Sequence, residues 1–180
     1  MSEPTRATYQ AVIQAAIDAT GADRGWLLRA DGGHFVVAAA YGDSDAPQRI
    51  GLRREQEGIA GFVLGSGQPA AIQTSPGDTD NEGAGGSAGA PRSVLAAPCG
   101  ASTGTVLGVL EIVDAPGGSF SFDDVETIGL LADIGGAAMS EVEDVDPPIS
   151  PEHLAHALVA LAAENPSRYA AVARTVEALL

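Results

Sequence analysis

Apolar residues recur along this chain with two different periods, and the switch between them lays out its elements. Tyr9, Val12, Ile13, Ala16, Ile17 and Thr20 fall at i, i+3, i+4, i+7, i+8 and i+11. They form one stripe of a helix over residues 5–20, which Gly21 is placed to end. The period then shortens. Gly25 to Ala30 and His34 to Tyr41 flank Asp31-Gly32-Gly33, which predicts a hairpin. Arg49 to Arg54 alternates and predicts a third strand. Gly58 to Gly67 predicts a short helix closed by glycines, with Gly65-Ser66-Gly67 as its exit, and Pro69 to Gln73 a short edge strand. Ser93 to Cys99 and Thr105 to Val113 predict two further strands around Gly100–Gly104.

A long helix follows, with Ser121 as N-cap, Asp124 at N3 as a short-armed capping box, and Phe120 able to staple onto Val125. Ile128, Leu131, Ile134, Ala138 and Val142 give its apolar stripe. This order predicts an α+β domain over residues 1–142, an antiparallel β-sheet with its N- and C-terminal helices packed on one face. Residues 143–149 read as an acidic linker with two prolines. Residues 150–180 read as a short helical hairpin tail, started at Ser150-Pro151 and again at Asn165-Pro166. Its two apolar stripes need cover, which makes Leu154, Leu158, Leu161, Tyr169, Val172 and Val176 candidate partner-binding residues.

Charge narrows the partners. Lys and Arg total 9 against 24 Asp and Glu, a net charge of −15, and all nine cations are arginine. Such a surface repels nucleic-acid phosphates and anionic lipid heads. Glu111 to Asp146 holds ten acidic residues and no basic one; that face either keeps the protein soluble or docks a basic partner. No run of 18 apolar residues occurs, and MSEPTRATYQ lacks the apolar core of a signal peptide. A single cysteine suits a reducing compartment, so a cytoplasmic, soluble protein is expected.

Several stretches together resemble the GAF domain, a small-molecule-sensing fold of bacterial signalling proteins and phosphodiesterases. They are Gly25-Trp26-Leu27-Leu28 with His34 to Gly42, Gly58-Ile-Ala-Gly-Phe-Val63 with Gly67-Gln68-Pro69, Ser93 to Pro98, Gly108 to Val113, and Phe120-Ser121-x-x-Asp124. The resemblance spans about residues 5–142 with element order intact. It implies a ligand pocket in front of the sheet, roofed by the segment between the fourth and fifth strands, and homodimerisation through the terminal helices. Where cyclic-nucleotide-binding members carry N-K-x-F-x-x-x-D-E, this chain has Asp114-Ala115…Phe120-x-x-x-Asp124-Val125, without the Lys and the final Glu. Members that reduce methionine sulfoxide use several cysteines, and this chain has one.

Candidate chemistry is sparse. Gly83, Gly85 and Ala88 in EGAGGSAGAPR outline G-x-G-x-x-A, but a strand rather than a helix follows, so the stretch reads as slack chain. His153 and His156 share a helical face without a third ligand, so no metal and no cofactor are expected. No G-x-S-x-G elbow anchors a hydrolase triad. Glu111 is the one charge in the apolar run Val106–Val113, either a solvated carboxylate or a polar group facing the pocket. Trp26, Tyr41 and Phe62 lie on the elements around the implied pocket, and Cys99 on a strand beside it; with Glu111 they are the candidate ligand-binding residues. The chain is thus expected to be a non-catalytic regulatory module that senses a small molecule and signals to a protein partner. The alternative is a ligand-free scaffold for dimerisation or docking.

Overall fold

Two compact units divide the chain, Met1–Asp144 and Val145–Leu180; the computed structural model describes residues 3–42, 44–73, 91–143, 151–164, 168–170 and 172. The first unit runs α1 (Glu3–Thr20), β1 (Arg24–Asp31), β2 (His34–Tyr41), α2 (Ala46–Arg49), β3 (Arg53–Glu55), α3 (Gly58–Ser66), β4 (Ala70–Gln73), β5 (Ser93–Gly100), β6 (Val106–Val113) and α4 (Phe122–Glu143). The second holds α5 (Pro151–Glu164), and residues 168–170 and 172 are helical as well.

The expected boundaries are met for local reasons. Gly21 ends α1 at φ +68°, a conformation only glycine adopts cheaply, and its N–H donates to Ile17 O at 2.8 Å. Gly67 closes α3 in the same left-handed way, with its N–H on Val63 O. The capping box of α4 is reciprocal. Ser121 N donates to Asp124 Oδ2 at 2.7 Å, and Asp124 N donates to Ser121 Oγ at 3.2 Å. Two expectations need correction. Residues 46–49 form the short helix α2, started by Pro47 in its first turn, and leave only Arg53–Glu55 as strand. The buried stripe of α4 runs through Ile128, Ala132, Gly135, Gly136, Ala138 and Met139, with Leu131 packed against it, so Ile128, Leu131 and Ala138 fall where expected while Ile134 lies outside at 52% exposure. Glycine supplies no hydrophobic signal, so the two glycines at the contact were invisible to a stripe drawn from large side chains.

All strands pair antiparallel in one sheet of order β3-β2-β1-β6-β5-β4. Alternation gives the sheet two apolar faces. One packs Leu27, Leu95, Ala97, Cys99, Leu110 and Ile112 against Tyr9, Ile13 and Ala16 of α1 and Ile128, Ala132 and Met139 of α4. The terminal helices therefore share that face. The opposite face packs Trp26, Leu28, Phe35, Val37, Val94, Ala96, Val109 and Val113 under Ala46 of α2 and Ile59, Ala60 and Val63 of α3.

One residue ties three strand ends together. Asp114, just past β6, is the one non-glycine among the described residues with positive φ, +63°. Its carboxylate accepts from Arg24 Nη2 at 3.1 Å and from Arg92 N at 2.7 Å, joining the starts of β1 and β5. Of the expected roof segment, residues 74–92, residues 74–90 lie outside the described residues, and so do residues 144–149 of the expected linker.

Candidate functional site

Strand register assembles the front of the sheet residue by residue. Ala40, Trp26, Glu111, Ala96 and Ala70 are successive partners across β2, β1, β6, β5 and β4. Directly paired residues project to the same side, so one row carries an indole and a carboxyl between alanines. The small flanking side chains leave the space above the row to larger groups arriving from elsewhere.

Those groups are arginines. Arg54 projects from edge strand β3, opposite the buried Phe35 of β2. Its Nη1 lies 3.5 Å from Glu111 Oε1, and its guanidinium carbon is 5.7 Å from the centroid of the Trp26 ring. Arg49, at the end of α2, places its guanidinium 5.9 Å from the same ring. Both distances are in the range of cation–π attraction. The Arg54–Glu111 contact is at the outer limit for a hydrogen bond, so charge is the larger part of what Arg54 contributes to the pair and directed bonding the smaller.

Glu111 is only 1% exposed. Burial pushes its carboxyl above the ordinary carboxylate range, and the charge of Arg54 pulls against that shift. A buried carboxyl with one cation facing it, within an apolar cluster, is the most concentrated electrostatic feature of this face. Beside it, Arg24, Gly25, Trp26, Ala40, Tyr41, Ala46 and Arg49 line a crevice of about 10 Å³, room for a single water.

The structure thus brings Trp26 and Glu111 together, with Tyr41 meeting Trp26 at the crevice while packing against the helix-side cluster. It does not bring the others there. Cys99 is fully buried on the helix side of the sheet. Its thiol is pushed up to about 12, first by burial and further by Asp133, with the backbone at Leu110 opposing. Phe62 points outward from α3 at 60% exposure. Arg49 and Arg54 escaped the sequence reading. The one available signal was that Arg54 shares the parity of Ile50 and Leu52 in the alternating stretch, a cation in phase with apolar positions.

In the second unit, Leu158, Leu161 and Val172 are half-buried and Tyr169 is exposed. The side chain of Leu154 and all of Val176 lie outside the described residues. Among the described residues, no cluster of three or more His, Cys, Asp or Glu could hold a metal ion. No described helix is long and apolar enough to cross a membrane.

A six-stranded antiparallel sheet with its terminal helices on one face and short helices over a polar-centred opposite face defines a GAF-type α+β module. The GAF domain family model matches residues 2–140, and the chain belongs to that family. GAF domains are generally regulatory or sensory modules of signalling proteins, although one structural neighbour is a type II free methionine-R-sulfoxide reductase from Thermoplasma acidophilum. The fold is shared with the GAF domain of a phosphoenolpyruvate-protein phosphotransferase from Coxiella burnetii, at TM-score 0.66 and 20% identity over 79% of this chain and 86% of that one. It is also shared with the GAF-B domain of DevS from Mycobacterium smegmatis, at TM-score 0.60 and 20% identity over 78% and 96%. Among curated protein sequences none matches this chain.

Proposed function

We propose that this protein is a non-catalytic regulatory module that senses a small molecule on the front of its sheet and relays the bound state to a protein partner through its helices and tail. The observation that carries this reading is Glu111, buried in mid-sheet beside the Trp26 ring with Arg54 facing it at 3.5 Å. A carboxyl kept from water at an energetic cost, with an aromatic face and two guanidinium groups around it, is suited to recognising a polar ligand. Catalysis has no support in the same place. The one thiol sits on the other side of the sheet with its pKa pushed up to about 12, and a single cysteine cannot form a catalytic disulfide. The net charge of −15 argues against nucleic acid and anionic membrane as partners, and the unpaired cysteine suits the cytoplasm.

The test is a thermal-shift screen of the full chain against charged and aromatic metabolites, repeated on Glu111→Gln and backed by native mass spectrometry. A compound that raises the melting temperature of the wild type and loses most of that shift in the variant supports the reading. Absence of any shift across those classes, with no bound mass on the purified protein, rejects it. A second reading, a ligand-free docking scaffold, draws on the exposed apolar residues of α4, Leu130 and Ile134. It would stand if the screen were empty while partner binding persisted.

A further inference from the structure

The outer face of α4 combines two features that a freely solvated helix does not need together. Phe122, Leu130 and Ile134 are 74%, 69% and 52% exposed. At 100° per residue they fall within one third of the helix circumference, on the side opposite Ile128, Ala132 and Met139. Asp123, Glu126, Asp133 and Glu141 occupy the same arc and are exposed. The 22 residues of α4 include no Lys or Arg. Beside Leu130 the surface opens into a groove of about 480 Å³ lined by Pro69, Pro98, Glu126, Gly129, Leu130 and Asp133. Gly129 contributes no side chain, and a Cβ there would meet nothing within 4 Å, so the groove floor stays open.

From this geometry we propose that the α4 face docks an amphipathic helix of a protein partner that carries arginine or lysine on both sides of a leucine-type stripe. The partner's apolar side chains fill the groove between Pro69, Pro98 and Leu130. Its cations meet Glu126 and Asp133 at the rim, which speeds encounter and selects sign. Charge decides between occupants. A second copy of a chain with net charge −15 would bring the same four carboxylates against each other, and an anionic lipid surface would be repelled. The proposal names the partner chemistry of the relay described above and rests on that reading for the existence of a partner. The ligand screen probes the front of the sheet, so failure here and failure there are separate results.

The experiment titrates full-length protein into a fluorescent amphipathic helix of about 18 residues, long enough to fold on contact, with a leucine stripe and arginine flanks. A matched helix with glutamate for arginine serves as the counter-probe. Binding of the arginine probe alone is expected, weakening about tenfold between about 0.05 M and 0.3 M salt. Leu130→Ser and Asp133→Arg should each weaken it about tenfold, while Phe62→Ser, an exposed aromatic on α3, leaves it unchanged. Circular dichroism checks that the three surface variants stay folded. The proposal is overturned if the arginine probe does not bind, if both probes bind alike, or if neither α4 variant changes affinity. A dimer that Leu130→Ser dissociates in sedimentation also overturns it, by assigning the face to a second copy.

Discussion

Arg54 Nη1 stands 3.5 Å from Glu111 Oε1, although the two residues belong to an edge strand and to a central strand with two other strands between them. The long arginine side chain bridges that gap over the Trp26 ring, so one contact joins the rim of the sheet to its centre.

Stability should report this pair as a function of pH. The folded state holds the Glu111 proton more tightly than the unfolded chain does, because burial raises its pKa. The site's contribution is therefore greatest below the ordinary carboxylate pKa and declines as pH rises from there to the raised value. Glu111→Gln removes that decline, so urea titrations should show the variant gaining on the wild type as pH rises above the ordinary carboxylate range. Arg54→Met should do the opposite, its cost growing as pH rises above the ordinary carboxylate range, because the carboxyl then has to ionise without its facing cation. Parallel pH dependence in all three proteins would remove the buried pair as an energetic element.

Cys99 should be chemically silent in the native state. With the thiol pushed up to about 12 and no surface exposed, a maleimide at about pH 8 finds almost no thiolate. Labelling should become rapid only in denaturant. Stoichiometric native labelling within minutes would place the thiol in an accessible site and reopen its candidacy as a ligand-contacting residue.

Two glycines of α4 should respond oppositely to alanine. A Cβ on Gly136 would lie 2.2 Å from Gly100 O, where helix and strand backbones touch. Gly136→Ala should cost about 3 kcal/mol as α4 is pushed from β5. Gly129→Ala meets nothing and should gain roughly 0.5–1 kcal/mol from helix propensity alone. Equal effects in thermal unfolding would contradict the described seat of α4.

At Asp114 both backbone and side chain are at stake. Asparagine tolerates a left-handed backbone and alanine does not, and only the carboxylate pairs with Arg24. Asp114→Ala should cost about 2 kcal/mol and Asp114→Asn about half of that, measured by chemical denaturation.

Elements were legible wherever a single period ran uninterrupted: α1, the β1–β2 hairpin, β5, β6, and α4 from its Ser121–Asp124 box. Their order was enough for the antiparallel sheet and for the family likeness that the match over residues 2–140 bears out, because local periodicity and capping are short-range properties. The seat of α4 was legible only in part: Ile128, Leu131 and Ala138 meet the core as their spacing implies, but the close approach depends on Gly135 and Gly136, which mark a contact by what they lack. Nor was α2, whose four residues are too few to carry a period.

Glu111 stood out in the sequence as a lone charge among apolar residues, but nothing nearby named its counter-ion. Arg54 lies 57 positions earlier in the chain (111 − 54), and only sheet pairing and the reach of its side chain bring the two together. The same long-range placement sent Cys99 to the helix side and Phe62 to the surface. Alternation tells which residues share a face, whereas packing decides what the face meets.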